Sequence, residues 1–141
     1  MKTGTLNQSR VILIGIFLVA LATQLILAGT DNKLGNEEFN KWLRLLLSVY
    51  SVHFGVMLGA IFSKNETGST KVSGFPFTLA ICLAAGWNLL LVSYSWAFAL
   101  SREKFSDFIE TFTILSQDTS FLVAGALVYF FGRPAKKARE E

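Results

Sequence analysis

Four long apolar runs separated by short polar breaks set the pattern of the chain, over 10–29, 42–63, 75–98 and 108–132. Each is close to the ~20 residues a helix needs to cross the hydrocarbon of a bilayer. Only helices and closed barrels satisfy their backbone groups in lipid, and runs of this length read as helices. The pattern predicts an all-α, integral membrane four-helix bundle with short loops, occupying 1–141 as a single transmembrane domain.

The first run competes with a signal peptide: Lys2 and Arg10 give a basic flank, and Ala20-Leu21-Ala22 resembles a small-residue cleavage site. The apolar run continues through Leu25, Ile26 and Leu27, past a signal core, so a retained span is expected. Its one strongly polar side chain is Gln24. The break that follows, GTDNKLGNEEFN, is turn chemistry, and Asn40 is placed to cap the second helix.

At 100° per residue, Arg44, Ser48, Ser51, Gly55 and Gly59 fall on one face of the second helix, with Ser63 at its edge. Gly55-xxx-Gly59 permits close backbone approach, which is how helices associate where lipid supplies no hydrophobic drive. The neighbour is either another span of this chain or a second subunit. His53 lies opposite, near Tyr50 and Met57. With two faces seeking protein neighbours, this helix is expected at the centre of the bundle. The polar break after it carries the sequon Asn65-Glu66-Thr67, and Asn7-Gln8-Ser9 is another.

The third run has Pro76 in its first turn, where a missing amide does no harm. It holds Asn88 beside Trp87, and Tyr94 and Trp96 near its end suit an interfacial belt. Trp87 is too deep for that belt and reads as packing, and Cys82 reads as core filler. In the last run only 121–131 is clean, which is too short to span. The helix must take in Gln117 and Asp118 and start near Asp107, ending at Gly132-Arg133-Pro134. Glu103, Asp107, Glu110, Gln117 and Asp118 then form an acidic stripe.

Composition narrows the function. Charged residues are 16% of the chain, against about a quarter in soluble domains. The spans and loops leave no length for a soluble catalytic domain within the sequence. A net charge of +3 gives no reason to expect nucleic acid. Cys82 is the only cysteine, which excludes an intrachain disulfide and paired-cysteine redox chemistry. One histidine cannot make a multi-histidine metal or haem site, and no nucleophile triad, zinc motif or phosphate loop is present. No cofactor, metal or catalytic residue is therefore expected, and the chain does not read as an enzyme.

Lys2, Arg10, Lys64, Lys71, Arg133, Lys136, Lys137 and Arg139 lie on one side of the four spans, and Lys33, Lys41, Arg44, Arg102 and Lys104 on the other. The positive-inside rule puts both termini and the middle loop in the cytoplasm, in a plasma membrane, or in the inner membrane of a bacterium. Both sequons would then face the cytoplasm, where they go unused. At ~1.5 Å per residue, Arg44 and Glu110 sit at one level near the outer surface. Gln24 and Asp118 lie roughly 8–12 Å in, and His53 and Asn88 near the midplane. Gln24, Arg44, His53, Asn88, Glu110, Gln117 and Asp118 are expected to form one intramembrane polar layer. Arg44 is expected to pair with Glu110. Asp118 is expected to pair with His53, or to stay protonated and bond to Gln24 or Asn88.

The expectation is a non-enzymatic subunit of a homo- or hetero-oligomeric membrane assembly, packing through Ser51, Gly55, Gly59 and Ser63, with the lipid bilayer as its solvent. The alternative is a small ion or proton channel or transporter using Arg44, His53, Glu110 and Asp118. A lipid or small-molecule binder would need a cavity lined by His53, Trp87 and Asn88.

Overall fold

A computed structural model describes residues 6–62 and 74–131. Four helices account for them: α1 (Leu6–Thr30), α2 (Asn36–Phe62), α3 (Gly74–Leu100) and α4 (Phe105–Phe131). All four are long and apolar enough to cross a membrane. Helix α1 packs on α2 and α3, and α4 packs on α2 and α3, so the order around the bundle is α1–α2–α4–α3. Consecutive helices alternate in direction, so the neighbours α2 and α4 run parallel, as do α1 and α3.

The connections are held by specific bonds. Asp31 Oδ1 accepts from the Lys33 amide at 3.0 Å, and the Asp31 carbonyl accepts from the Leu34 amide at 3.2 Å. Helix α2 then opens earlier than the apolar pattern indicated. The Gly35 carbonyl accepts from the Phe39 amide at 2.9 Å, and Glu38 reaches back to accept from the Gly35 amide at 2.9 Å. Glu38 thus supplies the carboxylate half of a capping box, and with Glu37 it places negative charge against the helix N-terminus. Asn40, expected as the cap, lies inside the helix as a result. Helix α4 opens at Phe105, where the Lys104 carbonyl accepts from the Asp107 and Phe108 amides.

Lys33 ties the two connections together. Its ammonium donates to the carbonyls of Ala99 at 2.7 Å and Ser101 at 2.5 Å, with Phe98 O at 3.3 Å, and sits 5.6 Å from the Phe98 ring centre. A cation on the free carbonyls of a helix end both satisfies them and offsets the dipole.

Below this cap lies an aromatic cluster. Phe108 stacks on Phe98 at 4.0 Å and on Tyr94 at 5.5 Å, and meets the edge of Trp42 at 4.9 Å. Deeper in, Leu13, Phe17, Leu46, Met57, Leu91, Phe112 and Leu127 are buried from all four helices. The exterior is equally apolar: Val11, Val19, Ile26, Leu89, Phe121 and Val128 all point outward. A surface of that kind on a soluble protein would be an aggregation liability, and in a bilayer it is the ordinary lipid contact.

Two expectations change here. Helix α2 occupies a corner of the bundle, between α1 and α4, and is not central. Cys82 points outward and fills no core position. Helix α4 starts at Phe105, which puts Asp118 at its midpoint, thirteen residues from either end. That is ~20 Å from each helix end, and the start agrees with the one expected near Asp107.

Candidate functional site

The polar residues of the spans divide into two sets, one sealed inside the bundle and one on its outer surface. The expected single layer is not formed.

Gln24, His53, Asn88, Ser95 and Ser116 make up the inner set, all buried. The Tyr50 hydroxyl of α2 donates to Asn88 Oδ1 of α3 at 2.8 Å, a bond across the diagonal of the bundle. Asn88 Nδ2 donates to the Ala84 carbonyl at 2.8 Å, which fixes the amide with its oxygen toward Tyr50. The Ser95 hydroxyl lies 2.5 Å from Gln24 Oε1 of α1 and 2.9 Å from the Leu91 carbonyl. A hydroxyl carries one proton, so it serves one of these two acceptors at a time.

His53 is fully buried. Its ring stacks on Phe17 at 5.2 Å and packs against Trp87 at 4.7 Å. Its Nδ1 lies 2.9 Å from the Val49 carbonyl. A carbonyl only accepts, so the proton sits on Nδ1 and Nε2 is left as the bare acceptor. Nε2 makes no hydrogen bond among the described residues, although the Ser120 backbone of α4 approaches the ring; Gln24 Nε2, whose side chain lies beside the Tyr50 hydroxyl, and the indole nitrogens of Trp42 and Trp87 likewise make none. The inner set is therefore a pair of interhelical links inside an aromatic shell, with polar capacity left over.

The outer set is Arg44, Glu110, Gln117 and Asp118, and all four side chains are exposed. Arg44 and Glu110 do stand at one level: each lies two residues beyond the packed pair Trp42 and Phe108. They make no ion pair, and among the described residues the one ion pair is Glu37 with Lys41 at 2.9 Å. Asp118 reaches neither His53, Gln24 nor Asn88, because it points away from the bundle while those three point in.

Ser51, Gly55 and Gly59 are exposed beside this set. A Cβ built on either glycine would meet nothing within 4 Å. The small-residue face therefore packs against no other span of its own chain. Ser63, the middle-loop sequon and its lysines, and the Gly132-Arg133-Pro134 stop with the basic tail lie outside the described residues.

The wheel placed Arg44, Ser51, Gly55 and Gly59 opposite His53, and the structure agrees. It could not say which face is inward. The links from Tyr50 and Ser95 were not singled out by sequence, since a lone Ser or Tyr in an apolar run carries no periodic signal. A groove of about 470 Å³ lies on the outside between α1 and α3, lined by Gly15, Val19, Thr23, Ala85, Asn88 and Leu89 among others. Of the residues expected around a binding cavity, only Asn88 reaches it; His53 and Trp87 do not line it. Among the described residues no three His, Cys, Asp or Glu side chains gather as metal ligands.

Comparison with protein-family models, with curated proteins and with solved structures gives no match.

Proposed function

We propose that this chain is a non-enzymatic subunit of a membrane assembly, joined to its neighbour through the outward faces of α2 and α4. The observation that carries the reading is the placement of Arg44, Glu110, Gln117 and Asp118 on the outer surface of spanning helices, beside the open stripe of Ser51, Gly55 and Gly59. An aspartate at the centre of a spanning helix costs ~2.5–3.5 kcal/mol to place in the membrane. Ionisable side chains in spans face protein or water and seldom lipid. The face that would suffer most in lipid is also the one whose glycines admit a close neighbour. Both termini are assigned to the cytoplasm by the distribution of Lys and Arg.

A second reading follows from Asp118 alone. If copies assemble around it, its carboxylate lines the contact, and an ion or proton path would run between subunits rather than through one bundle, where His53 is sealed off.

The test is association measured in lipid vesicles by energy transfer between donor- and acceptor-labelled copies, together with the partner content of the complex extracted in mild detergent. Gly55→Leu and Gly59→Leu should each reduce association while helix content stays unchanged. Asp118→Asn should leave association and function intact for a structural subunit, and should abolish flux while assembly persists for an ion path. A chain that stays monomeric in vesicles and carries no partner from its native membrane would overturn the proposal.

A further inference from the structure

We infer that the neighbour is a second copy of this chain, related by a two-fold axis along the membrane normal, with Arg44 of each copy paired to Glu110 of the other. The inference rests on the assembly reading above and names its partner.

Three features lead to it. The first is level. Trp42 of α2 and Phe108 of α4 are in edge contact at 4.9 Å, and Arg44 and Glu110 each follow two residues later on parallel helices. They therefore share one depth in the bilayer. A two-fold axis along the normal preserves depth, so it can bring these two side chains together between copies.

The second feature is side. Glu110 and Gln117 belong to the stripe that also holds Thr113 and Ser120, at offsets of three and four residues. Phe108, on the opposite flank of α4, stacks on Phe98 and Tyr94 of α3, and the Ser120 backbone lies toward His53 of α2, so this flank of α4 is the one nearest α2. On α2, Ser48 and Gly59 lean toward α4 by the same geometry, while Arg44 and Gly55 point straight outward, opposite His53. The cation points outward from α2 and the anion leans toward α2 from the adjacent α4, so both are exposed within one patch over the outward faces of these two helices. A patch that carries both halves of its own contact is self-complementary, which is the requirement for an isologous pair. Had Arg44 and Glu110 lain on opposite sides, the same charges would have favoured a ring.

The third feature is availability. Neither Arg44 nor Glu110 has an ion-pair or hydrogen-bond partner among the described residues. With α2 of one copy against α4 of the other, both charges in each copy are matched. The small residues Ser51, Gly55 and Gly59 then let the helices close, and Gly125 on the outer face of α4 is equally open.

The experiment is charge exchange in vesicles, read by energy transfer as a function of protein-to-lipid ratio. Arg44→Glu alone sets two acidic pairs across the dimer, and Glu110→Arg alone sets two basic pairs. Each should weaken self-association by about tenfold or more. Mixing the two variants creates one species in which both contacts are again Glu against Arg, so the mixture should recover near wild-type association. The double variant R44E/E110R should recover it too. Recovery in the mixture also shows that both single variants fold.

The failures are separable. If the double variant recovers but the mixture does not, the ion pair forms within a chain and this inference falls, while assembly stands. If the wild type associates and both single reversals leave it unchanged, copies meet through another face and the inference falls. If the purified wild type stays monomeric yet comes from its membrane in a defined complex with other proteins, the subunit reading survives and the second-copy inference is overturned. If it is monomeric with no partner, both fall.

Discussion

Replacing Asn88 with leucine should destabilise the bundle far more than replacing Gln24 with methionine, although both residues are buried amides. Asn88 accepts the only hydrogen bond that the buried Tyr50 hydroxyl donates, at 2.8 Å. The leucine leaves that hydroxyl beside only the Gln24 amide, whose oxygen is already engaged by Ser95 at 2.5 Å. An orphaned buried polar group costs about 1–3 kcal/mol, and interhelical bonds in membrane bundles run to ~0.6–2 kcal/mol, so a loss of roughly 1–2 kcal/mol is expected. Gln24 differs. Its partner Ser95 already has the Leu91 carbonyl at 2.9 Å and can turn its proton there. Its own Nε2 makes no well-formed hydrogen bond beside the Tyr50 hydroxyl, so methionine also removes a buried donor that is not satisfied. The expected change is within about 0.5 kcal/mol of zero, and stabilisation is admissible. Tyr50→Phe should then rescue Asn88→Leu, because both ends of the bond are removed together. The assay is equilibrium unfolding in mixed micelles for the two single variants, Tyr50→Phe and the Tyr50→Phe/Asn88→Leu pair. Equal losses for Gln24→Met and Asn88→Leu, or no recovery in the pair, would refute the reasoning.

Further outcomes follow from the same structure. Lys33→Met should release the Ala99 and Ser101 carbonyls, costing about 1 kcal/mol and raising amide hydrogen exchange at the end of α3 before any global change. Trp42→Ala empties a fully buried position against Phe108 and should cost ~3–5 kcal/mol by unfolding in micelles. Glu38→Ala removes the carboxylate on the Gly35 amide and should cost about 0.5–1 kcal/mol, with exchange rising only in the first turn of α2. Gly55→Leu should leave monomer stability unchanged or slightly raised, since nothing lies within 4 Å and leucine is the better helix former, so any loss of assembly belongs to the interface.

The four helices were legible in the sequence because length and apolarity decide a span almost alone. Their ends were less so. The expected start of α2 missed Glu38, whose bond to the Gly35 amide begins the helix at Asn36, outside the apolar run. The inside and outside of the bundle were hardly legible at all. In water a hydrophobic stripe marks the core, but here lipid and core are equally apolar and the stripe marks neither. That is why Cys82 was expected in the core and faces outward, and why Gln24 and Asp118 were placed in one layer when a bundle wall separates them. The wheel did find the two faces of α2 correctly, because Arg44, Ser51, Gly55 and Gly59 differ in size and polarity from everything around His53. It also set Arg44 and Glu110 at one depth, and only their contact within a chain failed to appear.

The most direct test of the account is to map which surface meets another protein. In a background of Cys82→Ser, single cysteines at Ser51, Gly55 and Gly125 sample α2 and α4, while Val19 and Leu89 sample the outward faces of α1 and α3. A short bifunctional thiol reagent in native membranes should link copies through the first group and leave the second unlinked. Links through Val19 or Leu89 with none through Ser51, Gly55 or Gly125 would contradict the assignment of the α2–α4 face as the subunit contact.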